Sequence, residues 1–290
     1  MRTEDEMIDL ILKYASEDDN IRAVVLNGSR VNPNLLPDIF QDYDVVYYVD
    51  EVQPYIHNYS VFEYFGETII FQLPDEMGDS FSDNPDRYAY LMQFTDGNRI
   101  DLTFCLSRDL EKNIRSDTLS LVLLDKDNRI KEKPIPNDRG YWPMPPTEIQ
   151  FRHCCNEFWW LMPYVAKGLW RGEVIYPWYF QNLMKGELLK MLNWYFGAQT
   201  NFEQSPGKLG RFYEDKFDRD LWGMIKEVFS LPVSGNFWKT LYTMGELFRD
   251  TAQDVARHFG YRYPHQDDAR VTEFVRLIQT LPQDASSFDP

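Results

Sequence analysis

Residues 4 to 15 place apolar side chains at Met7, Ile8, Ile11, Leu12 and Ala15, the spacing of an amphipathic helix. Residues 21–26, 45–49 and 68–73 are dense in β-branched and aromatic side chains and predict strands. In "YLMQFTDGNRIDLTF", Asp96-Gly97 stands between two apolar arms and predicts a two-residue hairpin. Along the outgoing arm Ile100, Leu102 and Phe104 face one way, and Asp101 and Thr103 the other. Residues 107–124 return to helical spacing. Five prolines between Pro134 and Pro146 then oppose both helix and central strand and predict a connection. Beyond it, residues 151–170, 177–199, 217–229, 237–259 and 271–281 all carry helical periodicity. Strands with helices first, and helices alone afterwards, predict an α+β fold in two parts. The expected divisions are a sheet domain at 1–135, the proline-rich connection at 136–148 and a helical bundle at 149–290.

Composition narrows the partners. The 290 residues hold 43% hydrophobic side chains, enough for a packed core in each part. Asp plus Glu number 46 against 30 Lys plus Arg, a formal net charge of -16. With no basic stripe to offset it, this surface repels nucleic acid and favours a cationic partner. The N-terminus has acids where a signal peptide needs bases, and no run approaches the ~18 apolar residues of a membrane span. No membrane partner and a cytoplasmic location are expected. The odd cysteine count (Cys105, Cys154, Cys155) suggests no disulfide framework, and the four histidines form no zinc motif. His153 and Cys154 are helix neighbours on different faces, so burial of small residues accounts better for the vicinal cysteines than nucleophilic chemistry. The oligomeric state is open, with a monomer favoured.

The candidate chemistry lies in "LNGSRVNPNLLPDIFQDYDVVYYVD". An apolar strand stops at Gly28-Ser29-Arg30, and after a loop Asp42-Tyr43-Asp44 opens the next. Alternate strand residues share a face at roughly 6.5 Å spacing, so Asp42 and Asp44 converge. Two carboxylates on one face need a positive charge between them, and oxygen ligands suit Mg²⁺. Gly28-Ser29 offers backbone N–H groups, a hydroxyl and room for a phosphate. Asp101 adds a third carboxylate from the hairpin strand. The ordered set suits metal-assisted nucleotidyl transfer, with pyrophosphate leaving.

That set resembles the DNA polymerase β-like nucleotidyltransferase superfamily. More closely, "GSR", "FQDYD", "DGNRIDLT", "LLDKD", "PNDRGYW", "CCNEFWW" and "YVAKGL" resemble the aminoglycoside 6-adenylyltransferases, or streptomycin adenylyltransferases. The resemblance implies a nucleotidyltransferase domain with a mixed sheet, then a helical acceptor-binding domain. It also implies Mg²⁺-dependent transfer of AMP from ATP to a hydroxyl of a streptomycin-type aminoglycoside, which confers resistance. Gly28, Ser29 and Arg30 match the triphosphate corner, and Asp42 and Asp44 the metal pair. Asp101 matches an acid that in related enzymes completes the metal site or deprotonates the attacking hydroxyl, and the base role is favoured. Another small-molecule or protein hydroxyl as acceptor, or a non-catalytic nucleotide-binding relative, are the competing readings.

A polycationic acceptor needs carboxylates and flat apolar surfaces. In the helical part Glu157 is a candidate for a cationic group of the acceptor, Lys167 for the triphosphate, and Trp142 for a cleft beside the connection. Phe158, Trp159 and Trp160 are expected in helix–helix packing.

Overall fold

Thr3 opens the first helix, α1 (Glu4–Glu17), with a capping box: its hydroxyl accepts from the Glu6 N–H at 3.3 Å, and its own N–H donates to the Glu6 carboxylate at 2.7 Å. Met7, Ile11 and Ala15 form the buried stripe of α1. The computed structural model describes residues 1–76, 86–230 and 237–285. The chain divides into two units, Met1–Gly140 and Tyr141–Pro290. Among the described residues no helix is long and apolar enough to cross a membrane.

The first unit is built on β1 (Ile21–Asn27), β2 (Tyr43–Val49), β3 (Thr68–Gln72), β4 (Arg87–Phe94), β5 (Arg99–Leu106) and β6 (Ser120–Asp125). Their order across the sheet is β3-β4-β5-β2-β1-β6. Every neighbouring pair is antiparallel except β2 and β5, which run parallel in unbroken register from Tyr43↔Ile100 to Val49↔Leu106. One face carries the main core: Val24, Leu26, Tyr43, Val45, Tyr47, Ile100, Leu102 and Phe104 pack with α1 and the short α2 (Ser60–Phe65). The buried Tyr47 hydroxyl donates to the Ile11 carbonyl at 2.8 Å and so avoids an unsatisfied polar atom. The opposite face carries a smaller cluster, in which Ala23, Val25, Tyr48 and Val122 pack with Leu110 and Ile114 of α3 (Leu110–Ser116).

Two local expectations change. Residues 107–124 are not one helix: a 3₁₀ turn and α3 end at Ser116, and β6 follows. Short apolar runs such as Leu119–Leu124 read equally as helix or strand, and pairing with β1 decides the matter here. The hairpin loop has three residues, 95–97, because the Phe94 N–H donates to the Asn98 carbonyl at 2.9 Å. Gly97, at φ +90°, supplies the left-handed residue that such a loop requires.

The second unit is helical: α4 (Glu148–Trp170), α5 (Ile175–Gln199), α6 (Tyr213–Lys216), α7 (Arg219–Phe229), α8 (Phe237–Phe259) and α9 (His265–Thr280). Thr147 and Gln150 cap α4 as Thr3 and Glu6 cap α1. Its core gathers Phe158 and Trp159 of α4, Met184, Leu188 and Phe196 of α5, and Phe248 and Val255 of α8. Phe158 stacks on Phe248 with ring centroids 3.7 Å apart. Cys154 and Cys155 are buried in this core, and burial pushes both thiols up, Cys155 to about 12. A nucleophilic thiolate is thereby disfavoured.

Candidate active site

The corner begins where β1 ends at Asn27 and a 3₁₀ turn runs over Gly28–Val31. Gly28 has φ +77°, and a Cβ there would fall 2.1 Å from Asp44 Oδ2. Only glycine permits both the left-handed backbone and the close approach of that carboxylate. The Gly28 N–H donates to the Leu119 carbonyl at 3.1 Å, which ties the corner to the start of β6. The Ser29 carbonyl accepts from the Gln41 side-chain amide at 3.2 Å, which brings the chain just before Asp42 back onto the turn.

Registers across four strands produce a polar row. Asn27 pairs with Ser120 on one side and Asp44 on the other, and Asp44 pairs with Asp101. All four share the face of Ala23, Val25 and Tyr48, at the end that the smaller core does not cover. The i, i+2 alternation therefore does two jobs: it buries Tyr43, Val45, Ile100 and Leu102 on one face and turns Asp44 and Asp101 out together on the other. Asn27 Oδ1, beside Asp44, is buried without a hydrogen-bond partner among the described residues.

Asp42 is placed differently from the sequence expectation. The strand starts at Tyr43, so Asp42 precedes it, and its side chain is 38% exposed. Among the described residues no three His, Cys, Asp or Glu side chains form a ready-made metal cage. All three acids instead act on one cation, Arg99. Arg99 Nε and Nη2 donate to the two oxygens of Asp101 at 2.8 and 2.9 Å, and Nε lies 3.7 Å from Asp42. The Asp101 fork raises the Arg99 guanidinium above its ordinary range, with Asp42 and Asp44 adding to the effect against partial burial. Sequence reasoning passed over Arg99. Its signal was the spacing Arg-Ile-Asp, which puts opposite charges on one strand face.

The residues fit a hard divalent ion by the chemistry of their donors. Asp42, Asp44 and Asp101 offer only oxygen donors, and the unpartnered Asn27 oxygen is the kind of neutral donor such ions accept. Arg30, matched by sequence to the triphosphate corner, has its side chain packed inward. Its side chain is 9% exposed, its guanidinium lies 3.6 Å from the Tyr43 ring centroid, and Nη2 donates to the Gln41 carbonyl at 2.7 Å. The apolar start of β2 beside a planar cation favours this stacking, so Arg30 shapes the loop before Asp42.

The remaining candidates belong to the second unit. Trp142 is half-buried within the proline-rich stretch 136–148. Glu157 is half-buried on α4, where its charge helps hold up the Lys190 ammonium of α5 after the closer Glu187. Lys167 lies ten positions further along α4, roughly 15 Å by helical rise, with its ammonium over the rings of Tyr164 and Phe274 at 6.0 and 5.7 Å. The three therefore do not form one cluster. Of the aromatic triplet, Phe158 and Trp159 are core, whereas Trp160 is 60% exposed.

The family model described as streptomycin adenylyltransferase matches residues 1–278. The chain belongs to that family. Its relatives include an aminoglycoside 6-adenylyltransferase of Bacillus subtilis (strain 168), 37% identical over 280 residues that cover 96% of this chain and 98% of the relative. The enzymes of the same description from Campylobacter jejuni and Staphylococcus aureus are 35% and 34% identical, each across 95% of this chain and 95% and 98% of their own lengths. A crystal structure of an aminoglycoside 6-adenyltransferase from Bacillus subtilis covers 97% of this chain and 100% of that chain at 33% identity, with a TM-score of 0.47. As a member of this family the chain is a nucleotidyltransferase, and its fold is α+β, a mixed sheet unit followed by helices.

Proposed function

We propose that the protein transfers AMP from ATP to a hydroxyl of a streptomycin-type aminoglycoside, with Mg²⁺ as cofactor, and so confers resistance to it. The observation that carries this reading is the Asp44–Asp101 pair across β2 and β5, set against Gly28 at the end of β1. Gly28 and Ser29 receive the triphosphate at a corner whose glycine admits close approach. Asp42 and Asp44 would hold the Mg²⁺ ion, which when bound neutralises charge on the triphosphate. Asp101 accepts the proton of the attacking hydroxyl as its oxygen bonds to the α-phosphorus and pyrophosphate departs. The acidic surface, with net charge -16, favours approach of a polycationic acceptor.

The test is pyrophosphate release from ATP and Mg²⁺ in the presence of streptomycin, with the product weighed by mass spectrometry. A gain of one adenylyl group supports the reading. Release only with a different acceptor moves the substrate, and release with none removes the activity. Within that assay Asp101→Asn keeps the shape of the base but cannot take the proton, so the single-turnover rate should fall ~10²–10⁴-fold. Calorimetric ATP affinity with Mg²⁺ should persist; its loss would reassign Asp101 to the metal.

A further inference from the structure

Arg99 and Asp101 are i, i+2 on β5, so the strand itself turns the guanidinium and the carboxylate to one side. The resulting fork uses both oxygens of Asp101, and the same Nε reaches toward Asp42 at 3.7 Å. The two carboxylates of the row, with Asp42 just before β2, outnumber this guanidinium. Two features make its hold exchangeable. Arg99 is 39% exposed, so solvent competes for its donors, and its contact with Asp42 is a single long approach rather than a fork. A like-charged ion arriving among the same carboxylates meets Coulomb repulsion from the guanidinium, together with competition for the same oxygens.

We propose that Arg99 is the resident counter-cation of the acid row, a positioning residue that holds Asp101 and Asp42 together in the metal-free protein and that a divalent ion displaces from Asp42 and loosens from Asp101. This rests on the metal reading of Asp42 and Asp44 given above. Its consequence runs against the usual effect of deleting a residue near a binding site: neutralising Arg99 strengthens metal binding while it weakens the empty protein. A purely structural arginine would produce only the second effect.

The experiment titrates the full chain with Mn²⁺, a spectroscopically visible substitute for Mg²⁺, and counts free ion by electron paramagnetic resonance. Thermal midpoints with and without the ion are measured in parallel. Arg99→Met and Arg99→Gln should bind Mn²⁺ at least ~3-fold more tightly than the parent, because a competing cation has gone. Both should melt lower without metal, and added Mn²⁺ should narrow the deficit. Gln still donates to Asp101 and keeps a folded sample in hand if Met does not fold. Arg99→Lys keeps the charge and should bind Mn²⁺ as the parent does. Unchanged or weaker Mn²⁺ binding by folded Arg99→Gln overturns the proposal, as does tightening by Arg99→Lys equal to that of Arg99→Gln. Asp44→Asn in the parent separates this from the underlying reading. If its Mn²⁺ binding equals the parent's, the metal site fails and the proposal with it. If it is lost while the Arg99 variants bind no tighter, only the role of Arg99 fails.

Discussion

Each unit contains an Arg–Asp fork of similar geometry, and the two are put to different uses. In the helical unit Arg249 of α8 grips Asp268 of α9 through two bonds of 2.6 Å. The Tyr263 hydroxyl adds a bond at 2.8 Å and the Thr272 hydroxyl one at 3.1 Å, and the carboxylate is 6% exposed. That carboxylate is saturated with donors, lies in the first turn of α9 where the helix dipole favours an anion, and stitches two helices together. In the sheet unit the Arg99–Asp101 fork is looser, its carboxylate is 23% exposed, and two further acids stand close by. The fork alone says little about purpose. Saturation and burial mark a structural pair, whereas partial exposure beside other carboxylates marks one that can change partners.

The largest effect belongs to the acid beside the sheet unit's fork. Asp44→Asn removes one charge from the acid row without changing volume, and AMP transfer should fall roughly 10³-fold or more, about 4 kcal/mol of transition-state stabilisation. Its thermal midpoint should stay within about 2 °C of the parent, since the side chain is not fully buried. A midpoint that drops with the rate would put Asp44 on the structural side of the comparison.

Asp268→Asn should show the reverse. Breaking a buried pair typically costs about 3–5 kcal/mol, or roughly 6–20 °C for a chain of this size. The rate per folded molecule, measured well below that midpoint, should match the parent. Chemical denaturation and assay of the same preparation check both halves.

Gly28→Ala tests whether the corner is coupled to the row. The positive φ alone costs ~1–2 kcal/mol for a residue with a Cβ, and that Cβ would meet Asp44 Oδ2 at 2.1 Å. Stability should fall by at least that amount while ATP affinity, read by calorimetry with Mg²⁺, falls as well. Intact affinity would uncouple the corner from the acids.

The smallest effect concerns the hairpin that carries Arg99. Asp96 is somewhat raised by burial, but bonds from Arg2 and Asn98 outweigh this and hold its carboxyl well below the usual range. A lowered folded pKa means that the contribution is complete above the unfolded value of ~4 and is lost as pH falls through the folded one. Asp96→Asn should cost about 1–2 kcal/mol near neutrality, and its midpoint should converge with the parent's as the pH falls well below 4. A difference that persists at low pH would contradict the linkage.

Much of this contrast was legible in the sequence, because strand alternation fixes faces. Ile100, Leu102 and Phe104 against Asp101 and Thr103 gave the orientation of β5 before any contact was known. Gly28 and Asp44 were recognisable as neighbours through the strand–corner–loop–strand order. What stayed hidden depends on contacts between segments distant in the chain. Arg30 reads as a cation beside a phosphate corner, and its stacking on the ring of Tyr43 is not visible in the local pattern. Residues 119–124 read as helix until β1 supplies ladder partners. The Arg249–Asp268 pair left no pattern at all, since its members lie on separate helices and saturation is visible only once both have packed.

The single parallel pairing in the sheet has a consequence for the order in which the molecule can become competent. Asp44 and Asp101 lie 57 positions apart in the chain, and they meet only through the β2–β5 ladder. The β4–β5 hairpin closes over a three-residue loop, while the acids require closure of a far longer one, whose entropic cost comes before any contact repays it. A chain holding its hairpin therefore does not yet hold its pair of acids. For the same reason, substitutions in the intervening segment that leave the ladder in step can vary without moving either carboxylate.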